Sequence, residues 1–164
     1  MSRAMETKEQ DRPIPIHGSA VALDETGVLI RGASDSGKSS LAFALVEEWR
    51  RRGDFASLVG DDRVMARLAG GRALLSPHQA IPGLAEWRGL GLMEQDYEKG
   101  VVLGLIVDLE SREDHKSAPR LPESQELRVD FLGLKDIPLL RLPARETERS
   151  VAAIVAFLHT ILTK

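Results

Sequence analysis

Short apolar runs, separated by polar or glycine-containing breaks, alternate along the chain with longer stretches in which apolar residues recur every three or four positions. The first pattern is typical of buried strands and the second of helices that pack on a sheet, so the sequence predicts a mixed α/β fold. Strands are predicted at residues 16–23, 28–30, 56–59, 64–68, 72–75, 101–109, 127–132 and 139–142. Gly70 and Gly71 lie between two of these runs and predict a tight hairpin there.

Two segments have the composition and periodicity of helices. Residues 39–49 follow a loop of small residues and lead into basic residues and Gly53, a common way for a helix to end. Residues 144–162 are expected to form the closing helix. Its apolar side chains share one stripe, which consists of Val151, Ile154, Val155, Leu158, Ile161 and Leu162. The charged, proline-containing segment 111–125 has neither pattern and is predicted to be a surface loop.

The composition excludes several functional classes. The chain has 164 residues, 43% of them hydrophobic, enough for a single domain over residues 13–164 behind a flexible polar lead-in, residues 1–12. Because there is no cysteine, a disulfide scaffold, a thiolate zinc site and a cysteine nucleophile are excluded. A net charge of -3 argues against nucleic acid as a partner, and no apolar run approaches the ~20 residues that span a membrane. Since the N-terminus also lacks the pattern of a signal peptide, we expect a cytoplasmic protein.

The strongest chemical signal is a glycine, four residues and then Gly-Lys-Ser, the Walker A pattern of a phosphate-binding loop. It lies between a predicted strand and a predicted helix, as that loop requires. In such a loop backbone N–H groups bind phosphate oxygens, the lysine reaches the outer phosphates and the serine hydroxyl binds Mg²⁺. The alternative is an ordinary strand-to-helix turn with a solvated lysine. The residues predicted to bind ATP are Gly32, Ala33, Ser34, Asp35, Ser36, Gly37, Lys38 and Ser39.

Asp35 is an unusual member of this loop. Its carboxylate would repel a phosphate group in the same cradle unless the side chain points outward. The position therefore tests how far the loop binds its ligand through the backbone alone.

A pair of acids, Asp61 and Asp62, directly follows the predicted strand 56–59. If that strand lies beside the strand that precedes the P-loop, one carboxylate can orient Mg²⁺ or its water, and the other can accept the proton of an incoming hydroxyl. Adjacent residues on a strand point to opposite faces, so the chain must turn for both to act at one site. An exposed acidic turn is the alternative.

Four sequence elements follow one another in a specific order: Ile16-His17-Gly18, the P-loop, Leu58-Val59-Gly60-Asp61-Asp62, and Glu86-Trp87-Arg88-Gly89-Leu90-Gly91. With them the sequence resembles the catalytic domain of bacterial HPr kinase/phosphorylase, which phosphorylates a serine of the phosphocarrier HPr of the sugar phosphotransferase system. The resemblance implies a P-loop α/β fold akin to phosphoenolpyruvate carboxykinase, with a mixed sheet and flanking helices rather than a doubly wound Rossmann sheet. It also implies ATP, Mg²⁺ and an HPr-like partner.

The resemblance further implies a role for individual residues. Asp62 matches the proton acceptor in phosphorylation, which is the proton donor in the reverse reaction, and Glu86 matches the second magnesium ligand. Arg88 lies in a segment tied to both directions of the reaction, and His17 matches a histidine near the active site. Arg120 is the expected arginine of a mobile loop. Ser39, Asp61 and Glu86 are thus the predicted metal ligands, and Asp62, His17, Lys38, Arg88 and Arg120 the predicted catalytic residues.

Some features depart from the family. It usually has glycine where Asp35 stands and an acid where Ala33 stands, and full-length members usually carry an additional N-terminal domain. Residues 137–145 reproduce poorly a Pro-Gly-Arg segment linked to dephosphorylation, so phosphorolysis is less supported than kinase activity. Family members form hexamers, so we expect a homo-oligomer. Two alternatives stay open, a P-loop phosphotransferase with a small-molecule acceptor and a non-catalytic nucleotide-sensing regulator.

Overall fold

The computed structural model describes residues 12–162, without the side chain of residue 162, so the predicted lead-in lies outside the described residues except for Arg12. The strands and helices are β1 Ile14–His17, β2 Ser19–Leu23, β3 Thr26–Gly32, α1 Lys38–Arg51, β4 Ala56–Gly60, β5 Arg63–Ala69, β6 Arg72–Pro77, β7 Leu84–Trp87, β8 Gly91–Glu94, β9 Val101–Glu110, α2 Arg112–Lys116, β10 Arg128–Phe131, β11 Leu134–Pro143 and α3 Thr147–Leu162. No helix in this part of the chain is long and apolar enough to cross a membrane.

Strand β9 organises the main sheet because it pairs with three other strands. It runs parallel to β3 along one edge. On its other edge, the first residues pair with β6 in antiparallel fashion, and the later ones pair with β11 in parallel. Beyond β3, strand β2 lies antiparallel to both β3 and β4, while β5 connects β6 to β1. The sheet is therefore mixed, as predicted.

The carboxyl ends of β3, β4, β9 and β11 lie at the same edge of the sheet, because all four run in one direction. The P-loop follows β3 and the acidic pair follows β4, so both features meet at this edge. The two strands are not direct neighbours, however, since β2 lies between them. The condition that the strand before Asp61 lies directly beside the P-loop strand is therefore not met, since one strand separates them, and the amino end of β2 also reaches the site.

Two apolar clusters cover the two faces of the sheet. On one face α1 and α3 pack through Leu41, Leu45, Ile154 and Leu158 against Ile30, Val107 and other strand residues. The other face, which includes Leu29 and Ile106, is covered by side chains of β5, β6 and β10. Both long helices thus lie on the same face, which distinguishes the fold from a doubly wound sheet with helices on both faces.

Several predicted boundaries change in the structure, and each change has a local cause. The run 16–23 is two strands, because β1 pairs with β5 whereas β2 pairs with β3 and β4. The loop 111–125 contains the short helix α2, whose first turn is capped by Ser111 Oγ accepting from the Asp114 amide. Helix α3 begins at Thr147, later than predicted, because β11 extends to Pro143 and Arg145 has a φ of 63°.

The hairpin at Gly70 and Gly71 is confirmed. It joins β5 to β6, and both glycines have positive φ angles, 57° and 74°. Two consecutive positive φ angles are what the favoured two-residue hairpin turn requires. The second hairpin, β7–β8, was not predicted, because its strands have only four residues each and are mostly exposed.

Replacing Leu158 by alanine is expected to lower the free energy of unfolding by about 2–5 kcal/mol, because a buried leucine leaves a cavity. Leu158 is fully buried between α3 and the sheet, whereas Leu121 is 90% exposed. Leu121→Ala is the matched control and should change stability by less than about 0.5 kcal/mol. Urea titration of both variants measures the difference, and equal losses would contradict the packing described above.

Candidate active site

The P-loop connects β3 to α1 and leaves the first turn of that helix open to an anion. Gly37 caps the helix with a φ of 93° and provides no side-chain hydrogen bond, so the N–H groups of the first turn have no side-chain acceptor at the cap. Glycine adopts this left-handed conformation without strain. Backbone N–H groups at a helix N-terminus attract negative charge, which is the physical basis of phosphate binding at this position.

Lys38 lies inside the loop that it is predicted to serve. Its side chain is buried, and Nζ donates hydrogen bonds to the carbonyl oxygens of Gly32, at 3.1 Å, and Ala33, at 2.8 Å. An ammonium group has three donors, so these two bonds leave one donor unused. The two loop carbonyls therefore keep the Lys38 ammonium group at the P-loop, where it is also accessible to a phosphate group.

Asp61 connects three segments of the site through one buried carboxylate, which is 4% exposed. Its Oδ1 accepts hydrogen bonds from Ser39 Oγ at 2.7 Å and from Ser19 Oγ at 2.8 Å. Its Oδ2 accepts from the backbone N–H of Glu86 at 3.2 Å. The P-loop helix, β2 and the β7–β8 hairpin therefore meet at this carboxylate.

The contact between Ser39 and Asp61 is suited to a magnesium ion. Mg²⁺ prefers hard oxygen ligands and commonly uses one or two carboxylates together with water and phosphate oxygens. Among residues 12–162 there is no cluster of three or more His, Cys, Asp or Glu side chains arranged to hold a metal ion. A P-loop holds Mg²⁺ with fewer protein ligands, a Ser or Thr hydroxyl and one aspartate. Ser39 Oγ and the Asp61 carboxylate provide such a pair in direct contact. Glu86 lies next to them through its backbone, while its side chain is exposed.

A turn after β4 separates the two acids of the pair. Asp62 has a φ of 62°, and the N–H of Arg63 donates to the carbonyl of Asp61 at 2.7 Å. As a result the Asp62 side chain is 60% exposed while that of Asp61 is buried. His17 Nε2 lies 3.1 Å from Asp62 Oδ1, and the Gly18 N–H donates to the Asp62 carbonyl at 3.0 Å. The exposed carboxylate is accessible to an incoming group and is one residue from the acid that binds the P-loop.

The Asp35 side chain forms an ion pair with an arginine of the β7–β8 turn. Its Oδ1 accepts a 2.6 Å hydrogen bond from Arg88 Nη2, which lies in the turn between β7 and β8. Its carbonyl oxygen accepts from Arg145 Nε at 2.8 Å, and the Arg145 N–H donates to the Ser36 carbonyl at 3.0 Å. The carboxylate that conflicted with anion binding in the sequence is therefore paired with a cation.

The β7–β8 hairpin is attached to the P-loop helix by an aromatic stack. The rings of Trp87 and Phe43 are 4.4 Å apart at an angle of 13°. Aromatic stacking stabilises such a contact beyond the burial of area alone. Glu86 and Arg88, the neighbours of Trp87, are thereby held beside α1.

The structure brings together His17, Lys38, Ser39, Asp61, Asp62, the backbone of Glu86 and Arg88. Arg120 is exposed in the segment between α2 and β10, and no hydrogen bond or ion pair described within residues 12–162 joins it to the site. Its assignment stays a prediction. Two residues of the site were missed in the sequence, Ser19 and Arg145. Ser19 belongs to no recognisable motif, whereas Arg145 ends the segment 137–145, which resembles the family's Pro-Gly-Arg segment only poorly. The fold brings both residues to the P-loop site.

Comparison with known proteins places the chain in a family. A sequence model described as "HPr Serine kinase C-terminal domain" matches residues 11–162. The HPr kinase/phosphorylase of Treponema pallidum (strain Nichols) is 33% identical over 141 residues, which are 80% of this chain and 42% of the relative. That of Geobacillus thermodenitrificans is 34% identical over 148 residues, 85% of this chain and 45% of the relative. The chain thus spans somewhat under half the length of these curated relatives.

A solved structure shares the fold. The HPr(Ser) kinase/phosphatase from Coxiella burnetii superposes with a TM-score of 0.71 at 21% identity, over 92% of this chain and 91% of that one. This similarity confirms the predicted fold class, a P-loop α/β domain with a mixed sheet and helices against it. Since the family match extends over all of the described residues, the chain belongs to the HPr serine kinase C-terminal domain family.

Proposed function

We propose that the protein is an ATP-dependent serine kinase that phosphorylates an HPr-like phosphocarrier. The observation that carries the proposal is the sequential pair Asp61 and Asp62, one bonded to Ser39 of the P-loop and the other exposed beside His17. In this proposal the exposed carboxylate is the proton acceptor beside a phosphate-binding loop, as phosphoryl transfer to a hydroxyl requires. The relatives named HPr kinase/phosphorylase support the choice of acceptor.

In the proposed reaction the acceptor serine oxygen attacks the γ-phosphorus of ATP, and the bond from that phosphorus to the bridging oxygen of ADP breaks. The serine proton passes to the Asp62 carboxylate, and the products are phosphoserine, ADP and a proton. His17, 3.1 Å from Asp62 Oδ1, orients that carboxylate. Lys38 and Arg88 stabilise negative charge on the phosphoryl oxygens, a task in which positioned cations lower the barrier.

Ser39 and Asp61, with Glu86 beside them, are the residues that we propose hold Mg²⁺. When bound there, the ion neutralises charge on the phosphate oxygens. The hydrogen bonds from Ser19 Oγ and the Glu86 amide fix the Asp61 carboxylate, so these two groups orient a metal ligand without themselves being required to bind the ion.

Dephosphorylation by phosphorolysis, the second activity considered for this site, uses the same groups. Inorganic phosphate would attack the phosphorus of phosphoserine, the bond to the serine oxygen would break, and Asp62 would protonate that oxygen. The products are serine and pyrophosphate. Asp62 fits both directions because an exposed carboxylate can accept a proton in one and return it in the other.

We further propose that residues 13–164 act as one catalytic domain, in the cytoplasm, as a homo-oligomer for which the family resemblance implies a hexamer. The single main sheet supports one domain. Exposed apolar side chains on the β7–β8 hairpin, including Leu90 and Leu92, support assembly, since exposed apolar groups of this size favour association. Light scattering of the purified protein measures the number of subunits.

The acceptor is tested by incubating the protein with Mg²⁺ and γ-labelled ATP in three parallel reactions. One contains an HPr-like phosphocarrier, one contains the same phosphocarrier with its candidate serine replaced by alanine, and one contains a small-molecule metabolite extract. We expect label on the first acceptor alone. Label in the metabolite reaction alone would favour a small-molecule phosphotransferase, and nucleotide binding without transfer in any reaction would favour a non-catalytic sensor.

A further inference from the structure

The side chain of Asp35 occupies an unfavourable position for an acid. Its φ of 62° lies in the left-handed region that glycine adopts freely, although aspartate tolerates it better than most residues. Its negative charge also lies in a loop that is built to bind phosphate. Replacement by glycine would relieve both problems, so any benefit of the carboxylate must come from what it contacts.

The backbone carbonyl of Asp35 accepts a hydrogen bond from Arg145, which lies 110 positions later in the chain. Arg145, in the connection between β11 and α3, donates to the carbonyl of Asp35 through Nε and to that of Ser36 through its backbone N–H, at 2.8 and 3.0 Å. Arg145 itself has a φ of 63°. These two bonds hold the loop at the point from which the Asp35 carboxylate projects.

The Asp35 carboxylate is hydrogen-bonded to the Arg88 guanidinium through only one of its two oxygens. A single bond, from Arg88 Nη2 to Asp35 Oδ1 at 2.6 Å, joins the two side chains. A guanidinium has five N–H donors, so most of the donors of Arg88 stay available. Its side chain is 90% exposed, and that of Asp35 is 63% exposed. An exposed ion pair of this kind is weak in itself, so its value lies in where it places the arginine.

The turn that carries Arg88 does not fix the side chain by itself. Trp87 is anchored on Phe43, but the glycines after Arg88, Gly89 and Gly91, both have positive φ angles and no atom within 4 Å of the place where a Cβ would lie. The Leu90 N–H donates to the Trp87 carbonyl at 2.9 Å, so the turn is closed through its backbone, and no contact of the turn itself with the Arg88 side chain is described. The bond to Asp35 is the described contact that directs the guanidinium towards the P-loop.

We propose that Asp35 is a positioning residue, whose carboxylate holds Arg88 at the mouth of the P-loop so that the remaining guanidinium donors bind the terminal phosphate of a nucleoside triphosphate. The inference rests on the proposed kinase function, because it assumes that a nucleotide binds in this loop. It assigns Asp35 a favourable effect on nucleotide binding despite its charge. A carboxylate that only repelled the ligand would have the opposite effect.

The two possibilities are separated by a double-mutant cycle. The parent protein, Asp35→Gly, Arg88→Gln and the double variant are titrated with the non-hydrolysable analogue AMP-PNP in the presence of Mg²⁺, and dissociation constants are measured by calorimetry. Thermal unfolding of each variant verifies that it is folded, and Asp35→Gly is expected to fold because glycine adopts the positive φ of this position without strain. Asp35→Asn, which keeps an oxygen acceptor and tolerates a positive φ, is the conservative variant.

We expect Asp35→Gly to weaken AMP-PNP binding about three- to fivefold when Arg88 is present, and to strengthen it about twofold in the Arg88→Gln protein. Asp35→Asn should retain most of the parent affinity. This reversal of sign cannot come from a purely structural role or from repulsion alone. Equal effects of Asp35→Gly in both backgrounds would overturn the inference.

The same titrations distinguish failure of the inference from failure of the proposed function. No binding of AMP-PNP to the folded parent protein would count against the kinase proposal. Binding to the parent together with additive effects of the two substitutions would overturn the role of Asp35 and leave the kinase proposal intact, because the titrations contain no protein acceptor.

Discussion

Replacement of Asp62 by asparagine is expected to reduce the rate of phosphoryl transfer by about 10²- to 10⁴-fold, the usual contribution of a general base. Nucleotide affinity should stay within about twofold of the parent, because Asp62 is exposed beside His17 and makes no described contact with the P-loop side chains. Asparagine tolerates the positive φ at this position, so the turn should be preserved. Transfer rates and dissociation constants of the purified variant measure both quantities.

Asp54→Asn is the matched control, since Asp54 is also an exposed acid in a loop but lies at the opposite end of β4. Its transfer rate should equal that of the parent. If Asp62→Asn retained parental transfer, Asp62 would not be the proton acceptor and the exposed acid would be an ordinary turn residue. If it lost nucleotide binding to the same extent as transfer, its role would be in the P-loop rather than in the chemical step.

Replacement of Asp61 by asparagine is expected to have the second large effect, which concerns the metal. The buried carboxylate accepts hydrogen bonds from two serines and one amide, and an asparagine amide group would place N–H donors against at least one of these donors. We expect a loss of about 1–3 kcal/mol in the free energy of unfolding. Transfer should fall by about 10²-fold or more, because the proposed magnesium ligand loses its charge. Nucleotide titrations with and without Mg²⁺ measure the metal dependence directly.

Two serine variants separate the metal effect from the structural effect of Asp61. Ser39 and Ser19 both donate to Asp61 Oδ1, at 2.7 and 2.8 Å, but only Ser39 belongs to the P-loop. Ser39→Ala should abolish the tightening of nucleotide binding by Mg²⁺, whereas Ser19→Ala should lower stability and keep that tightening. Equal Mg²⁺ dependence in both variants and in Asp61→Asn would contradict the assignment of this cluster to the metal.

The P-loop and the acidic pair were predictable because their signals are local. Strand, glycine loop, lysine and helix follow one another within a few residues in the segment up to Ser39, so backbone geometry and chemistry can be predicted together. The hairpin at Gly70 and Gly71 was predictable for the same reason, since two adjacent glycines favour one turn geometry. Glu86 and Arg88 were predicted as site residues only from the family resemblance, because an isolated glutamate or arginine does not indicate a function.

The parts that the sequence did not reveal depend on long-range pairing. Strand β2 lies between β3 and β4, and this insertion brings Ser19 to Asp61, a residue 42 positions away. Arg145 reaches Asp35 across 110 positions because β11 returns parallel to β9 at the edge where the P-loop lies. No pattern of spacing encodes such contacts, since they are decided by the order of strands in the sheet.

Asp35 illustrates how the structure changes the interpretation of a single residue. In the sequence it was a charge in the wrong place for an anion-binding loop. In the structure it forms an ion pair with Arg88 and its backbone carbonyl is bound by Arg145, so its charge is paired with a cation beside the P-loop. The conflict is resolved by two arginines that come from the middle and the end of the chain.

Phosphate transfer from this P-loop site to a serine of an HPr-like phosphocarrier is the reaction that we propose. Its most direct test is mass-spectrometric mapping of the phosphocarrier after incubation with Mg-ATP and either the parent protein or the Asp62→Asn variant. We predict one phosphoserine with the parent protein and none with the variant at the same reaction time. Absence of phosphoserine with a folded, nucleotide-binding parent protein and a folded phosphocarrier would contradict the claim.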